Sequence, residues 1–158
     1  MDAPHFGEAI TVRSNGKQLD ILLVEDDPGD VAMTKEALSE HKLLINLTVV
    51  SNGEEAVMFL RRQPPYAEAP RPALVILDLN LPRLSGQEVL AIVKSDPNLL
   101  AIPVVVLTTS TSEQDVLRSY ELHANAYVAK PVGFDSFVSA VRQIDQFFFT
   151  VVELPRSP

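Results

Sequence analysis

The sequence predicts an α/β protein of the doubly wound (βα)5 type: a five-stranded parallel sheet, order 2-1-3-4-5, with helices on both faces. Three observations predict it. Five short apolar runs recur along the chain: ILLV (21–24), LTVV (47–50), ALVIL (73–77), VVVL (104–107) and AYVAK (126–130). Segments with apolar residues at helical spacing separate them, which is the βαβ pattern. The runs lack the apolar–polar alternation of a sheet with one wet face, so both faces are covered, as parallel sheets require.

The elements follow in order. Residues 1–18 are polar and mixed, with Gly7, Ser14, Asn15 and Gly16, and read as a flexible tail. ILLV runs into Glu25-Asp26-Asp27, and Pro28-Gly29 punctuates before a helix over 28–41, where Val31, Thr34, Ala37 and Leu38 share a face. LTVV stops at Ser51-Asn52-Gly53, and EEAVMFLRR (54–62) is helical. Pro64, Pro65, Pro70 and Pro72 then exclude regular structure, because proline removes the backbone donor and fixes φ. ALVIL is the third strand and QEVLAIVKS (87–95) the next helix. VVVL ends in Thr108-Thr109-Ser110. Both Ser110-x-x-Glu113 and Thr111-x-x-Gln114 fit a capping box for a fourth helix that runs to about Leu122. The last helix places Phe134, Phe137, Val138, Val141, Ile144 and Phe148 on one face, while Phe147 points off it. The chain divides into a tail (1–18), one domain (19–149) and a C-terminal extension (150–158).

Composition narrows the function. At 158 residues and 46% hydrophobic content the chain can bury a core of its own. No cysteine is present, so disulfides and thiolate metal sites are excluded and a reducing compartment is consistent. No apolar run approaches the roughly 18 residues of a membrane helix, and the N-terminus lacks the basic and apolar regions of a secretory signal. The expected location is the cytoplasm, with no membrane partner. A net charge of −8 argues against binding nucleic acid or anionic lipid.

Ligands of open α/β sheets bind outside the carboxyl ends of the strands. There the sequence puts Glu25 and Asp26 after strand one, Asp78 after strand three, Thr108 at the end of strand four and Lys130 at the end of strand five. A polar residue just past one strand is ordinary, since strands end where solvent begins. Three carboxylates on adjacent central strands are not, because they repel unless a cation sits among them. Lys130 supplies one charge and a hard divalent ion would supply two more. Mg²⁺ fits best, with Mn²⁺ able to substitute, since it takes oxygen ligands and keeps waters or phosphate oxygens. His5, His41 and His123 are scattered surface positions and offer no competing cluster. A divalent ion, a carboxylate, a hydroxyl and an ammonium together suit phosphoryl transfer. Asp78 is the nucleophile, and the cation, Lys130 and Thr108 are the groups that stabilise the transferred charge.

LLVEDD, LDLNLPRLSG, VVVLTTS and AYVAKP stand in this order at successive strand ends, over roughly residues 19–150. In these motifs the chain closely resembles the receiver domain of two-component response regulators. The resemblance implies that Asp78 is the phosphoacceptor and that Asp26 ligates the metal directly, with Glu25 acting through water. It also implies the backbone carbonyl of Asn80 as a further ligand. It implies that Thr108 is the switch hydroxyl, that Lys130 pairs first with the acceptor and then with the phosphate, and that Tyr127 is an aromatic switch. The Lys130-Pro131 bond is expected to be cis. Many receivers carry Ala or Gly after the switch threonine. Thr109 stands there in this chain, and with Asn80 and Ser110 it bears on the lifetime of the phosphorylated state. The insert RRQPPYAEAPRP, the stretch SYELHANAY and the tail beyond the last helix resemble the small response regulators of cyanobacterial and bacterial phytochromes. A sensor histidine kinase of phytochrome type is therefore the expected partner, and the chain is a signalling protein rather than an enzyme.

The signal is expected to bias the face made by helix four, strand five and helix five. FFFTVVELP (147–155) adds apolar residues beyond the last helix. An exposed apolar patch there suits a homodimer through that face and Phe147–Leu154, against a helix end folded back on its own domain. Three other readings compete. A flavodoxin-like electron carrier would need a hydroxyl- and glycine-rich phosphate loop where Glu25-Asp26-Asp27 stands. An aspartyl phosphatase would carry its nucleophile after the first strand. A receiver-like binding module that works without phosphorylation is separated by metal-dependent phosphoryl uptake.

Overall fold

The computed structural model describes residues 18–39, 44–109 and 112–148. Strands and helices alternate: β1 (Gln18–Val24), α1 (Pro28–Leu38), β2 (Leu44–Val50), α2 (Gly53–Leu60), β3 (Leu74–Leu77), α3 (Gly86–Ser95), β4 (Val104–Thr108), α4 (Glu113–Glu121), β5 (Ala126–Ala129) and α5 (Phe134–Gln146). The strands form one parallel sheet in the order β2-β1-β3-β4-β5. This is the predicted fold and strand order.

Side chains alternate between the faces of a strand, so each apolar run supplies two cores. Leu22, Val24, Val75, Leu77, Val104 and Val106 face one way, onto Phe59 and Leu60 of α2 and Val89, Leu90 and Val93 of α3. Ile21, Leu23, Leu74, Ile76, Val105 and Leu107 face the other way, onto Leu38 of α1 and Phe137, Val138, Val141 and Ile144 of α5. Every residue of β3 and β4 is buried, which is why these strands show no polar alternation.

Several boundaries differ from the sequence reading, each for a local reason. β2 begins at Leu44 although Asn46 interrupts its apolar run. Asn46 lies opposite Asp20 of β1, and its side-chain amide donates to Asp20 Oδ1 at 3.0 Å, so the polar pair extends the ladder. β1 likewise starts at Gln18, within the stretch expected as tail. The cap of α4 is Ser112, whose hydroxyl accepts from the Asp115 N–H at 3.1 Å; the boxes expected on Ser110 or Thr111 fall on residues outside the described ones. α3 carries a reciprocal capping box instead: the Glu88 N–H donates to Ser85 Oγ, and the Ser85 N–H donates to Glu88 Oε1, both at 3.2 Å. Phe134 is 55% exposed because it opens α5 before its apolar face meets the sheet. Phe148 is buried and Phe147 exposed, as the helical spacing predicts. The Lys130–Pro131 bond is trans; the one cis peptide among the described residues is Pro64–Pro65. With the trans bond Lys130 still reaches its partners, described below, so a cis bond is not required to place it. The expected tail (bar Gln18) and C-terminal extension lie outside the described residues.

Asp145 sits on the buried side of α5, and burial pushes its carboxyl from the ordinary 3.8 up to about 7. A carboxylate with a raised folded-state pKa holds its proton more tightly in the folded chain. Stability then falls as pH rises from about 4 to about 7, by about 1.4 kcal/mol per unit of pKa difference at most. Asp145→Asn should flatten this slope. Melting curves of both proteins across that window check it, and parallel curves would remove Asp145 as the cause.

Candidate functional site

The sheet itself levels the polar groups at its carboxyl edge. The Glu25 N–H donates to the Val50 carbonyl at 3.0 Å, the Asp78 N–H to that of Val24 at 3.1 Å and the Lys130 N–H to that of Thr108 at 2.8 Å. Each residue thus continues a strand by one backbone hydrogen bond, and Glu25, Asp78 and Lys130 come together.

Lys130 is the centre of the cluster. Its Nζ donates to Glu25 Oε2 at 2.6 Å, Asp30 Oδ2 at 2.8 Å and Asp78 Oδ2 at 3.1 Å. The Lys130, Glu25 and Asp78 side chains are 4–6% exposed. The second carboxylate oxygens are also engaged: the Asn80 N–H donates to Asp78 Oδ1 at 3.3 Å, and the Asp27 N–H to Glu25 Oε1 at 3.1 Å. Asp30 was missed by the sequence reading. It lies in the first turn of α1, where an acidic residue is already explained by the helix dipole. Asp27 fixes that turn: its Oδ1 accepts from Gly29 N at 2.8 Å and Asp30 N at 3.4 Å. Asp27 is thus a helix cap.

The electrostatics follow from burial. Desolvation pushes the Glu25 carboxyl up to about 7, against the hydrogen bonds from Lys130 and Asp27 and with help from the charge of Asp78. Burial alone would lower the Lys130 ammonium, but bonds to Asp30 and Glu25 and the charges of Glu25 and Asp78 outweigh it, so Lys130 stays protonated. One carboxylate oxygen each from Glu25, Asp26 and Asp78 lies within 4.8 Å of the others. This all-oxygen set fits a hard divalent cation, and exposed Asp26 leaves the outer side open to water or phosphate oxygens.

Of the other expected residues, Asn80 and Thr108 are tied to this cluster through backbone groups: the Asn80 N–H donates to Asp78, and the Thr108 carbonyl accepts from Lys130. Thr108 ends β4 and is fully buried. Tyr127 of β5 is half-buried, lies beside Val106 and packs against the α2–α3 core. Asn80 and Thr109 are exposed, as is His123. Ser110 lies outside the described residues. Close packing under the loop after Asp78 imposes one further demand. A Cβ at Gly86 would overlap the carbonyl oxygen of Asp78 and the Cα of Leu79, so α3 can start there only with glycine. Gly86→Ala should cost roughly 2–3 kcal/mol, the upper range for overpacking, and should displace Asp78. Denaturant melts and Mg²⁺ titration read the two effects; a neutral variant would mean that the loop yields freely.

Known proteins match this arrangement. The family model described as the response regulator receiver domain matches residues 21–142. The chain belongs to the response regulator receiver family. Among its relatives, the response regulator Rcp1 of Synechocystis sp. is 44% identical over 135 residues, covering 85% of this chain and 92% of Rcp1. The phosphorylated cyanobacterial phytochrome response regulator RcpA superposes with a TM-score of 0.87 at 42% identity, over 89% of this chain and all of that one. The Mn²⁺-bound form of Rcp1 superposes at 0.85 with 43% identity, over 87% of this chain and 99% of that one. This receiver is thus homologous to phytochrome response regulators. Receiver domains bind Mg²⁺ or Mn²⁺ at an acidic cluster, and Glu25, Asp26 and Asp78 form such a cluster. No described helix is long and apolar enough to cross a membrane.

Proposed function

We propose that this receiver accepts a phosphoryl group on Asp78 from a phosphohistidine of a sensor kinase, in a Mg²⁺-dependent reaction in the cytoplasm. One observation carries the reading: Lys130 Nζ lies 3.1 Å from Asp78 Oδ2, and Asp78 shares the acidic cluster with Glu25 and Asp26. A carboxylate oxygen of Asp78 attacks phosphorus. The new O–P bond replaces the P–N bond, and the leaving imidazole takes up a proton. Asp26, Asp78, the Asn80 carbonyl and, through water, Glu25 would hold the Mg²⁺, which supplies positive charge to the phosphoryl oxygens. Lys130 is held ready by three carboxylates and turns part of its charge to the phosphoryl group as that group arrives. Thr108 then offers its hydroxyl to the phosphate, and Tyr127 follows it inward. That motion remodels the α4-β5-α5 face, where Leu117 and Tyr120 are exposed. A homodimer through this face and Phe147–Leu154 is the assembly we favour. The likeness to RcpA and Rcp1 supports a phytochrome-type kinase as the donor.

The test is intact mass after incubation with Mg²⁺ and acetyl phosphate, with light scattering on the same samples. One added phosphoryl group, lost when Mg²⁺ is chelated, is the expected result. No added mass from either acetyl phosphate or a phytochrome-type kinase would overturn the reading in favour of a phosphorylation-independent module.

A further inference from the structure

At the opposite, amino end of the sheet lies a cleft of about 330 Å³ between the C-terminal ends of α2 and α3. Arg61, Arg62 and Arg71 line it, with Asp96 as the acidic residue and Leu60, Leu99 and Ile102 as buried apolar residues beneath. The proline-rich insert builds this cleft. It leaves α2 at Arg61-Arg62 and returns with Arg71. In between it is tied down by the Tyr66 N–H to the Gln63 carbonyl, the Ala69 N–H to the Tyr66 carbonyl and the edge of Tyr66 against Phe59. Arg71 is anchored by one bond from Nη1 to the Asn98 carbonyl, and Arg61 Nε stands 3.8 Å from Asp96 Oδ2. Each guanidinium carries five donors, so most remain for a ligand. Three guanidinium groups against one carboxylate make a cationic island in a chain of net charge −8.

The backbone supplies a second, independent observation. α2 ends in a Schellman motif: the Gln63 N–H reaches the Met58 carbonyl and the Arg62 N–H the Phe59 carbonyl. The residue in the left-handed position is Arg62, at φ 54°. Glycine is the usual occupant there, because a side chain is strained at positive φ. An arginine at this site sacrifices backbone ease and gains a guanidinium on the cleft.

We propose that this cleft binds a phosphomonoester whose phosphate is carried on an apolar or aromatic body of mononucleotide size. Guanidinium groups match phosphate oxygens in pairs. The apolar floor takes the body, and the volume lies at the small end of ligand sites. This site is separate from the acidic cluster and does not rest on the phosphoryl-acceptor reading.

The test is an amide-shift titration of the full chain in EDTA, with adenosine 5′-monophosphate, inorganic phosphate and adenosine as probes. The monophosphate should saturably shift Arg61–Gln63, Arg71 and Asn98–Ile102. Inorganic phosphate and adenosine should each bind at least about tenfold more weakly, having only one of the two binding elements. Arg62→Gly is the decisive variant because it cannot fail by unfolding: it should raise the melting temperature while weakening the monophosphate about tenfold, the loss of one charge-assisted bond. Arg71→Gln should weaken it similarly, whereas Arg83→Gln, outside the cleft, should not. Phosphoryl uptake should be unchanged in Arg62→Gly. Absence of saturable shifts at the cleft, equal affinity in Arg62→Gly, or equal binding of inorganic phosphate would each overturn the proposal.

Discussion

Asp78→Asn should take up no phosphoryl group from acetyl phosphate or a phosphorylated kinase, and should melt at or above the wild-type temperature. The amide keeps the shape of the side chain, and its oxygen can still accept the Asn80 N–H. What it loses is a nucleophilic oxygen and a negative charge. The charge matters for stability because Glu25, Asp30 and Asp78 share a single ammonium, and Glu25 and Asp78 are buried. The charge of Asp78 helps to raise Glu25 from its ordinary 4.5 to about 7. A raised carboxyl weakens the fold as pH climbs from the ordinary value through the raised one. Relief in the variant should therefore show near and above pH 7 and fade toward pH 4.5. For a chain of this size each 1 kcal/mol of relief raises the melting temperature by about 2–4 °C. Intact mass and melting curves at the two ends of that window check both claims. Uptake by Asp78→Asn would move the nucleophile to a neighbour such as Asp26, and a lower melting temperature near pH 7 would mean that the third carboxylate stabilises the cluster on balance.

The sheet was legible because parallel strands are buried on both faces, so composition alone marks β3 and β4. It was less legible at the edge. Asp20 and Asn46 extend β1 and β2 by bonding each other, and a pair 26 residues apart leaves no local trace. The acidic cluster was legible because Glu25 and Asp78 directly follow apolar runs and Asp26 stands next to Glu25. Asp30 was hidden by its place in a helix, where an acid after a cap needs no further reason. The arginine cleft was hidden differently. RR and Arg71 flank a proline-rich loop whose ends meet only after the chain has turned, and a left-handed Arg62 is invisible without backbone angles.

Lys130→Ala should be the more damaging change for the fold. Lys130 is 5% exposed at its side chain and binds three carboxylates, so its loss leaves Glu25 and Asp78 buried together with no cation. Breaking one side of a buried ion pair costs about 3–5 kcal/mol, because the remaining charge stays desolvated. Some of that is avoided if the carboxyls hold protons, which gives the effect a sign in pH. With Lys130 gone, Glu25 rises further above its ordinary 4.5, so the folded chain binds more protons than the unfolded one. The damage should be small below that value and grow as pH rises. A divalent cation on the same carboxylates replaces the missing charge. Adding Mg²⁺ should therefore raise the melting temperature of Lys130→Ala more than that of the wild type. Stability regained in this way would not restore the chemistry. The ammonium aimed at Asp78 Oδ2 is absent, and phosphoryl uptake should stay about 10²–10³-fold slower, as when one preorganised donor to developing charge is removed. Melting with and without Mg²⁺ separates structure from reaction. If Mg²⁺ restored stability and uptake together, Lys130 would be a structural counter-charge with no part in the transfer.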